Sequence, residues 1–311
     1  MEAIHQEFTQ LANSIIGTVG ICVQHVESGQ RIEYNADSRF SMASVFKLPV
    51  VVYVLSLVDQ GQLSLDQLIE VHPADLCPGS GIIQALLFHP GLILSVRNLI
   101  ELTMVISDNT ASDILLRSAG GPLAVTQFLQ NNSIRDIRID RFTKYLVADK
   151  YGFTGLGTGE NWSIEQFHKL FEQLTPEKAR AAAGIFTEDE RDTMTPAAMV
   201  ALLMKVCTTE LLTSTSRDLL LSVMQRCQTG EGAIKGMLPP GAVVAHKTGT
   251  LAAVAANDVG IITLPGEAGH LAIAVCVKSP DANADASSAC QRVIAHSARA
   301  VFDYFLFTNE K

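Results

Sequence analysis

The stretch "RFSMASVFKLPVVVYVL", residues 39–55, places Ser44 and Lys47 at the head of a long apolar run. Residues three apart on a helix share a face, so the Lys47 ammonium group can reach the Ser44 hydroxyl. The unpaired N–H groups and positive dipole end of a helix N-terminus suit a nucleophile whose attack creates an oxyanion. On its own the pattern proves little, because an S-x-x-K arises about once by chance in a chain of this length. For this stretch taken alone, an N-cap serine beside a lysine that reaches for solvent is the favoured explanation.

The composition describes a well-packed protein without an obvious polymeric partner. The chain has 311 residues, 48% of them hydrophobic and 18% charged, with a formal charge of −9 and a pI near 5.4. This length fits one large domain or two lobes that share a core. Without a run of Lys and Arg, neither nucleic acid nor an anionic membrane surface is a predicted partner. The longest apolar stretch, residues 48–58, is too short to cross a bilayer.

Cysteine, histidine and the N-terminus limit the alternatives further. The six cysteines form no C-x-x-C pair and the eight histidines no H-E-x-x-H, so we predict no metal and no cofactor. Buried free thiols are favoured over any particular disulfide, but the spacing does not decide. Residues 1–15 are acidic and amphipathic, without the features of a secretory signal. Either the protein is cytoplasmic or the chain begins after a removed leader.

The order of predicted elements indicates a sheet built from both chain ends. Residues 2–15 have helical spacing, and two strands joined by "ESGQ" follow, up to residue 40. Helical segments then dominate for some 150 residues. Strand patterns return late, and a final helix follows. The predicted helices lie near 44–60, 96–106, 109–119, 122–131, 196–207 and 290–306, and the late strands within 242–254, 258–265 and 270–278.

These elements predict an α/β (α+β) fold with a five-stranded antiparallel sheet. The three late strands should form a meander, because strands adjacent in sequence tend to pair, and the early hairpin should join it. We expect a single domain over 1–311. Its α/β lobe takes residues 1–43 and about 208–311, and an all-helical lobe, about 44–207, is inserted between them. Small-molecule sites usually lie in the cleft between such lobes.

Two further motifs carry polar residues to places that need an explanation. In "TMVISDNTASD" (103–113), Ser107-Asp108-Asn109 ends one predicted helix and opens another, although such residues are also ordinary at helix starts. In "VVAHKTGTLAAV" (243–254), Lys247-Thr248-Gly249 lies within a predicted strand. A glycine there often marks the close approach of a ligand or another backbone.

Taken together, S-x-x-K, S-D-N and K-T-G make the chain resemble a class A β-lactamase. The resemblance runs from about residue 5 to 306 and includes "PGSG" (78–81), "ERDTMTPAAM" (190–199) and "NDVGII" (257–262). It implies a β-lactamase/transpeptidase-like fold, a periplasmic or secreted location and a monomer. The implied partner is a β-lactam or a D-alanyl-D-alanine peptide.

The resemblance also implies roles for individual residues. Ser44 would be the acylated nucleophile, Lys47 its proton-transfer partner and Ser107 a proton relay to the leaving nitrogen. The backbone N–H groups of Ser44 and Thr250 would form the oxyanion hole. Asn109 would bind the side-chain amide of the substrate. Lys247, Thr248 and Thr250 would bind the substrate carboxylate, with Gly249 between the last two.

The chain departs from the family at the Ω-loop, here residues 140–195. In "DRFTKYLVAD" (140–149), Arg141 matches the family's R-x-E-x-x-L-N motif and should pair with Asp192. Thr143 stands where the glutamate that activates the deacylating water belongs, and Val147 replaces the asparagine. Neither can act as a general base.

An insertion over 150–189 follows this stretch, with predicted helices near 162–173 and 176–184. One of its glutamates, or one at its border, could replace the missing base, although a solvated helix face is the commoner role. The candidates are Glu160, Glu165, Glu172, Glu177, Glu188 and Glu190.

A second departure affects carboxylate binding. Ala256 occupies the position directly before "ND" where the family often has an arginine, which leaves Arg292 or Lys235 as candidate helpers. His246 is expected to line the wall of the site without a catalytic role. Three functions therefore remain open: a β-lactamase with an unusual Ω-loop, a D-alanyl-D-alanine peptidase inhibited by β-lactams, and a β-lactam sensor module.

Overall fold

The strands form one large sheet and two short ladders. The computed structural model describes residues 2–279 and 284–308. The large sheet is antiparallel with the order β2-β1-β9-β8-β7, which confirms the predicted union of the early hairpin with the late meander. The strands are β1 (Thr18–His25), β2 (Arg31–Tyr34), β3 (Phe40–Ser41), β4 (Leu68–Glu70), β5 (Ile93–Ser95), β6 (Thr193–Met194), β7 (Val243–Leu251), β8 (Ala255–Thr263) and β9 (His270–Lys278).

The helices follow the predicted segments, with additions. Apolar spacing does not single out α3, α7 or α11, and the last helix begins earlier than expected. They are α1 (Glu2–Asn13), α2 (Lys47–Asp59), α3 (Ile83–Leu86), α4 (Val96–Val105), α5 (Asn109–Ser118), α6 (Pro122–Asn131), α7 (Thr143–Lys150), α8 (Ile164–Glu172), α9 (Pro176–Phe186), α10 (Pro196–Cys207), α11 (Ser214–Gln225) and α12 (Ala284–Thr308).

The sheet is covered on both faces. Successive side chains of a strand point to opposite faces. In β9, Ile273 and Val275 pack into a cluster with α1 and α12, whereas Ala272 and Ala274 pack into the core of the helical lobe. A strand buried on both faces reads as a continuous apolar run, which is why "HLAIAVCVK" lacks polar alternation.

The inserted lobe is mostly helical. It also contains the β4–β5 ladder and strand β6, which pairs with β3 just before the lobe begins. Helix α10 packs on β1, β8 and β9, and α11 packs on α2, α4 and β7. These two helices therefore join the lobe to the sheet. None of the helices described in the structure is long and apolar enough to span a membrane.

Three segments distant in sequence meet where the lobe faces the sheet. The turn before α2 contacts β7 and β8, and the start of α5 lies beside α2 and α4. Each of the three polar motifs lies on one of these segments. The fold thus brings the three motifs together at the junction of α2, α5 and β7.

Candidate active site

Ser44 lies on a tight turn. Residues Ala43–Phe46 form a 3-10 turn that continues directly into α2 at Lys47. Ala43 has φ +46°, a left-handed conformation that residues other than glycine adopt rarely, so the chain bends sharply before the serine. Ser44 is partly exposed, whereas Lys47 is fully buried. The serine is therefore accessible from the surface, whereas the lysine lies in the interior.

Strand β7 approaches this turn too closely for any side chain but hydrogen. A Cβ atom on Gly249 would lie 2.5 Å from the Met42 carbonyl oxygen and 3.0 Å from the Ser44 backbone nitrogen. From β8, the Asn257 amide donates hydrogen bonds to the carbonyls of Ser41 and Met42, at 2.9 and 3.1 Å. Gly249 and Asn257 thus hold the backbone of the turn against the sheet edge.

Lys47 makes three hydrogen bonds, and none is to a carboxylate. Its Nζ donates to the Ser107 carbonyl (2.7 Å), Ser107 Oγ (3.1 Å) and Asn109 Oδ1 (2.6 Å). Within the described residues, no hydrogen bond joins its Nζ to the Ser44 hydroxyl. Burial, followed by the nearby Lys247 charge, lowers the pKa of Lys47 to about 7. Near neutral pH a substantial fraction of this amine is therefore uncharged.

Ser107 is the point at which the motifs meet. Its Oγ accepts a second hydrogen bond from Lys247 Nζ at 3.0 Å, and Lys247 also donates to the Thr248 carbonyl at 2.8 Å. Burial lowers the pKa of Lys247 to about 8. Ser107 has φ +60°, so the hydroxyl is held between the two lysines by an unusual backbone conformation.

Asp108 and the "PGSG" stretch fix the loop that carries Ser107. Asp108 Oδ2 accepts hydrogen bonds from the backbone nitrogens of Ile82 (2.7 Å) and Ile83 (3.0 Å), and Oδ1 caps α5. Gly81 has φ +121°, and a Cβ there would lie 2.3 Å from Asp108 Oδ2. Nδ2 of Asn109 donates to the Pro78 carbonyl at 2.8 Å.

The predicted carboxylate-binding segment presents hydroxyl groups. Thr248 Oγ1 lies 2.5 Å from Thr229 Oγ1, and Thr250 is exposed at the end of the strand opposite Ala256. Arg292 is exposed on α12 and Lys235 is half-buried on the turn Ile234–Met237. In the part of the chain that the structure describes, neither forms a hydrogen bond to the K-T-G segment, and their helper role stays a prediction.

An ion-pair cluster closes the Ω-loop. Arg141 Nε lies 2.5 Å from Asp192 Oδ2, and the same guanidinium contacts Asp189 at 3.1 Å and Asp149 at 2.5 Å. The side chains of Arg141 and Asp192 are only 6% and 3% exposed. Since solvent screens these charges little, the cluster ties the two ends of the segment together.

Thr143 occupies a buried position beside α5. Its backbone nitrogen donates to Asp113 Oδ1 at 2.7 Å, and the Lys144 backbone nitrogen donates to Asp113 Oδ2 at 3.1 Å. Thr143 Oγ1 lies 3.3 Å from Ser112 Oγ. Burial raises the pKa of Asp113. Asp113 is not among the residues predicted from the sequence, although its position four residues after Asn109 places both on one face of α5.

The glutamates that could replace the missing base lie on the protein surface. All six glutamates of the insertion and its border are exposed; Glu177 pairs with Arg180, and Glu188 with Lys278. Among the described residues, no carboxylate of the insertion forms a hydrogen bond with Lys47 or Thr143. The carboxylate next to Thr143 is therefore Asp113 of α5, and not one of the insertion.

The insertion itself is folded against the site. Its helices α8 and α9 lie close to the predicted positions. Phe186 of α9 packs with Leu146 of α7 and with Val254 between β7 and β8. Trp162 is buried among aromatic side chains, and its Nε1 donates to the Leu76 carbonyl at 2.8 Å. The insertion thus supports α7 and the end of β7 from outside.

His246 is buried behind the K-T-G strand. It forms an ion pair with Asp258, whose Oδ2 lies 2.9 Å from His246 Nδ1, and both side chains are completely buried. Asp258 also accepts a hydrogen bond from the Ile234 nitrogen at 3.0 Å. Burial alone would lower the pKa of His246, but the adjacent carboxylate raises it above the ordinary value.

Comparison with known proteins gives consistent matches over almost the whole chain. The model of the β-lactamase enzyme family matches residues 3–305. β-Lactamase VEB-1 of Pseudomonas aeruginosa is 30% identical over 296 residues, which cover 93% of this chain and 85% of the relative. A solved β-lactamase structure from Chitinophaga pinensis has a TM-score of 0.76 at 30% identity, covering 97% of this chain and 99% of its own. The structure of the TLA-3 extended-spectrum β-lactamase has a TM-score of 0.78 at 28% identity, and the match covers 98% of this chain and 99% of that one.

Proposed function

The chain belongs to the class A β-lactamase family, and from this membership we propose that it is a serine hydrolase that opens β-lactam rings through an acyl-enzyme on Ser44. The observation that carries the proposal is the hydroxyl of Ser107, which accepts hydrogen bonds from both Lys47 and Lys247. Two buried amines donate to one oxygen, and within the described residues neither is hydrogen-bonded to a carboxylate, which favours a neutral amine at one of them. A neutral Lys47 is a suitable base for a serine three residues earlier.

Acylation then follows from the arrangement of these groups. Lys47 takes the proton of Ser44 Oγ, which attacks the lactam carbonyl carbon. The backbone N–H groups of Ser44 and Thr250 stabilise the resulting oxyanion. Lys47 passes its proton through Ser107 Oγ to the ring nitrogen as the C–N bond breaks. The transfer from Lys47 to Ser107 runs along a hydrogen bond already present at 3.1 Å.

Substrate binding draws on the neighbouring polar groups. Protonated Lys247 with Thr248, Gly249 and Thr250 would hold the carboxylate beside the lactam ring. Asn109 would bind the side-chain amide of the substrate. Ala256 supplies no charge, so Lys247 would carry most of the attraction for the anion.

Deacylation is the step that this chain should perform poorly. A general base contributes roughly 10² to 10⁴ in rate. Thr143 stands at the position of that base, and its hydroxyl cannot act as one. The carboxylate beside it, Asp113, is buried and already accepts hydrogen bonds from the backbone nitrogens of Thr143 and Lys144. We therefore infer slow hydrolysis of the acyl-enzyme.

A second function is favoured by the threonine at position 143. A D-alanyl-D-alanine peptidase on this scaffold would be acylated by β-lactams and would release them slowly. Thr143 and the exposure of all six candidate glutamates favour it. Export to the periplasm or cell exterior and a monomeric state stay predictions from the resemblance.

The deciding experiment follows intact-protein mass over time after mixing with a modest excess of benzylpenicillin, with the free drug measured in the same samples. An adduct that appears and then clears as the drug is consumed supports the β-lactamase. A persistent adduct supports the peptidase. If no adduct forms and the drug is not consumed, the acyl-enzyme proposal is wrong.

A further inference from the structure

A cavity of ≈ 470 Å³ lies at the end of α2 that is remote from Ser44. Its walls come from three segments: the end of α2 with the residues after it, one face of α6, and the turn that follows α10. Gln60, which caps α2, is thirteen residues beyond Lys47, a distance of about 20 Å along a helix. None of the residues that line this cavity takes part in the mechanism above.

Side-chain amides dominate the polar lining of this cavity, named here the amide cavity. They belong to Gln60, Gln62, Gln127, Asn131 and Asn132. Gln62 Nε2 donates to Gln60 Oε1 at 2.9 Å, and Asn132 Nδ2 donates to the Phe128 carbonyl at 2.8 Å. Within the described residues, the amides of Gln127 and Asn131 have no hydrogen-bond partner. Because each amide carries donors and an acceptor, these two groups are free to bind a ligand.

The charges of the amide cavity favour a neutral ligand. Glu210 is the one residue with a formal charge among those that line it. Its carboxylate accepts hydrogen bonds from Lys205 Nζ at 2.6 Å and from Thr208 Oγ1 at 2.9 Å. A hard cation would need several oxygen ligands, and an anion would need an unpaired lysine or arginine. The lining of the cavity offers neither.

Two aromatic rings supply the apolar part of the lining. Tyr53 of α2 and Phe128 of α6 pack with their ring centroids 4.8 Å apart, and both are half-buried. A pyranose ring presents C–H groups on its faces and hydroxyl groups around its whole edge. Aromatic faces attract such C–H groups, and polar side chains on all three walls can meet the hydroxyls. A flat nucleobase presents polar groups only in its own plane, which fits the three walls less well.

We propose that the amide cavity is a binding site for a neutral saccharide. The sugar ring lies against Tyr53 and Phe128, and its hydroxyl or acetamido groups exchange hydrogen bonds with the side chains around it. Gln127 and Asn131 are four residues apart on α6, so both project from one face and can contact the same sugar. The volume falls within the range of small-ligand sites, roughly 300–1,000 Å³. Binding requires no covalent step and does not depend on Ser44.

The first test is isothermal titration calorimetry of the unmodified protein with three uncharged disaccharides: cellobiose, maltose and N,N′-diacetylchitobiose. We expect saturable binding of at least one of them. Adenosine and glucuronate are the comparison ligands, one a neutral base and the other a charged sugar. If none of the disaccharides binds saturably, or if adenosine or glucuronate binds as tightly as the best of them, the proposal is wrong.

The second test locates the site. The double variant Gln127→Ala, Asn131→Ala removes both free amides from exposed positions of α6, and saccharide binding should weaken at least tenfold. Gln130→Ala is the matched control, because it removes an exposed amide of the same helix that does not line the cavity. Its affinity should equal that of the unmodified protein. Equal affinity in the folded double variant would place the sugar elsewhere and overturn the proposal.

Two further measurements keep the result independent of folding and of the catalytic site. Circular dichroism reports whether the double variant folds. If it does not, Gln62→Ala, in the turn after α2, replaces it and should weaken binding while Gln130→Ala does not. The double variant should form the benzylpenicillin adduct at the rate of the unmodified protein. Saccharide binding is thus decided whether or not β-lactams are substrates.

Discussion

Lys47 and Lys247 donate hydrogen bonds to the same oxygen atom, Ser107 Oγ, at 3.1 and 3.0 Å. One lysine is the first residue of α2, directly after the turn that carries Ser44, and the other comes from the sheet edge. Both are completely buried. The shared hydroxyl couples their protonation states, because each positive charge disfavours the other. This coupling underlies the acid–base behaviour that we expect of the site.

Replacing the nucleophile should abolish covalent labelling. Ser44→Ala removes the only atom proposed to bond to the lactam carbonyl, so no penicilloyl adduct should appear in the intact mass. Circular dichroism should be unchanged, because Ser44 is partly exposed. Ser41→Ala is a matched control: its buried Oγ has no hydrogen-bond partner in the described structure, and that variant should label normally. An adduct on Ser44→Ala would place the nucleophile elsewhere.

Restoring the missing base should accelerate deacylation. Thr143→Glu places a carboxylate beside Ser112 at the first residue of α7. We expect the acyl-enzyme to hydrolyse roughly 10² to 10⁴ times faster. The measurement is the decay of the benzylpenicillin adduct after free drug is removed. Thr143→Gln introduces a side chain of nearly the same volume as glutamate that cannot act as a base. Its adduct should decay at the rate of the unmodified protein. Equal decay in both variants would contradict the alignment of position 143.

The acylation rate should depend on pH in a bell shape. The pKa of Lys47 is about 7, so below that value the base is protonated and the rate should fall about tenfold per unit. The pKa of Lys247 is about 8, so at higher pH the anion site loses its charge and the rate should fall again. Adduct formation between pH 5.5 and 9.5, followed by mass spectrometry in rapidly quenched samples, measures this profile. Lys47→Arg, which cannot release its proton, should show no rise with pH; a flat profile in the unmodified protein would exclude Lys47 as the base.

The Ω-loop ion pair should contribute strongly to stability. Arg141→Ala leaves the buried Asp192 carboxylate without its partner, which costs about 3–5 kcal/mol. Arg191→Ala removes an arginine that is 49% exposed and pairs with Asp189, and should cost less than about 1 kcal/mol. Urea unfolding followed by circular dichroism gives both values.

The same variants can report on the insertion separately. Trp162 is the only tryptophan of the chain and is buried within the insertion. In Arg141→Ala its fluorescence should change at a lower urea concentration than the circular dichroism signal, because the Ω-loop opens first. If the two signals coincide at an unchanged midpoint, the ion pair does not hold the insertion in place.

Much of the fold could be predicted because it depends on local patterns. Alternation and β-branched residues identify the strands, and the pairing of sequence neighbours is enough to assemble the sheet. Helix α7 is different: "TKYLVADK" has little apolar periodicity, and its position depends on Asp113, which accepts the backbone hydrogen bonds of Thr143 and Lys144. Such a contact joins segments some thirty residues apart and leaves no periodic signal.

By itself, the sequence determined the family, the order of the elements and the residues of the three motifs, because each is written in neighbouring positions. Only the tertiary structure decided which of these groups touch. Lys47 and Ser107 are 60 residues apart, and Ser107 and Lys247 are 140 apart, yet all three meet in a site without water-exposed charge. The physical reason is that the pKa of a buried amine depends on the groups packed around it in three dimensions and not on its neighbours in the sequence.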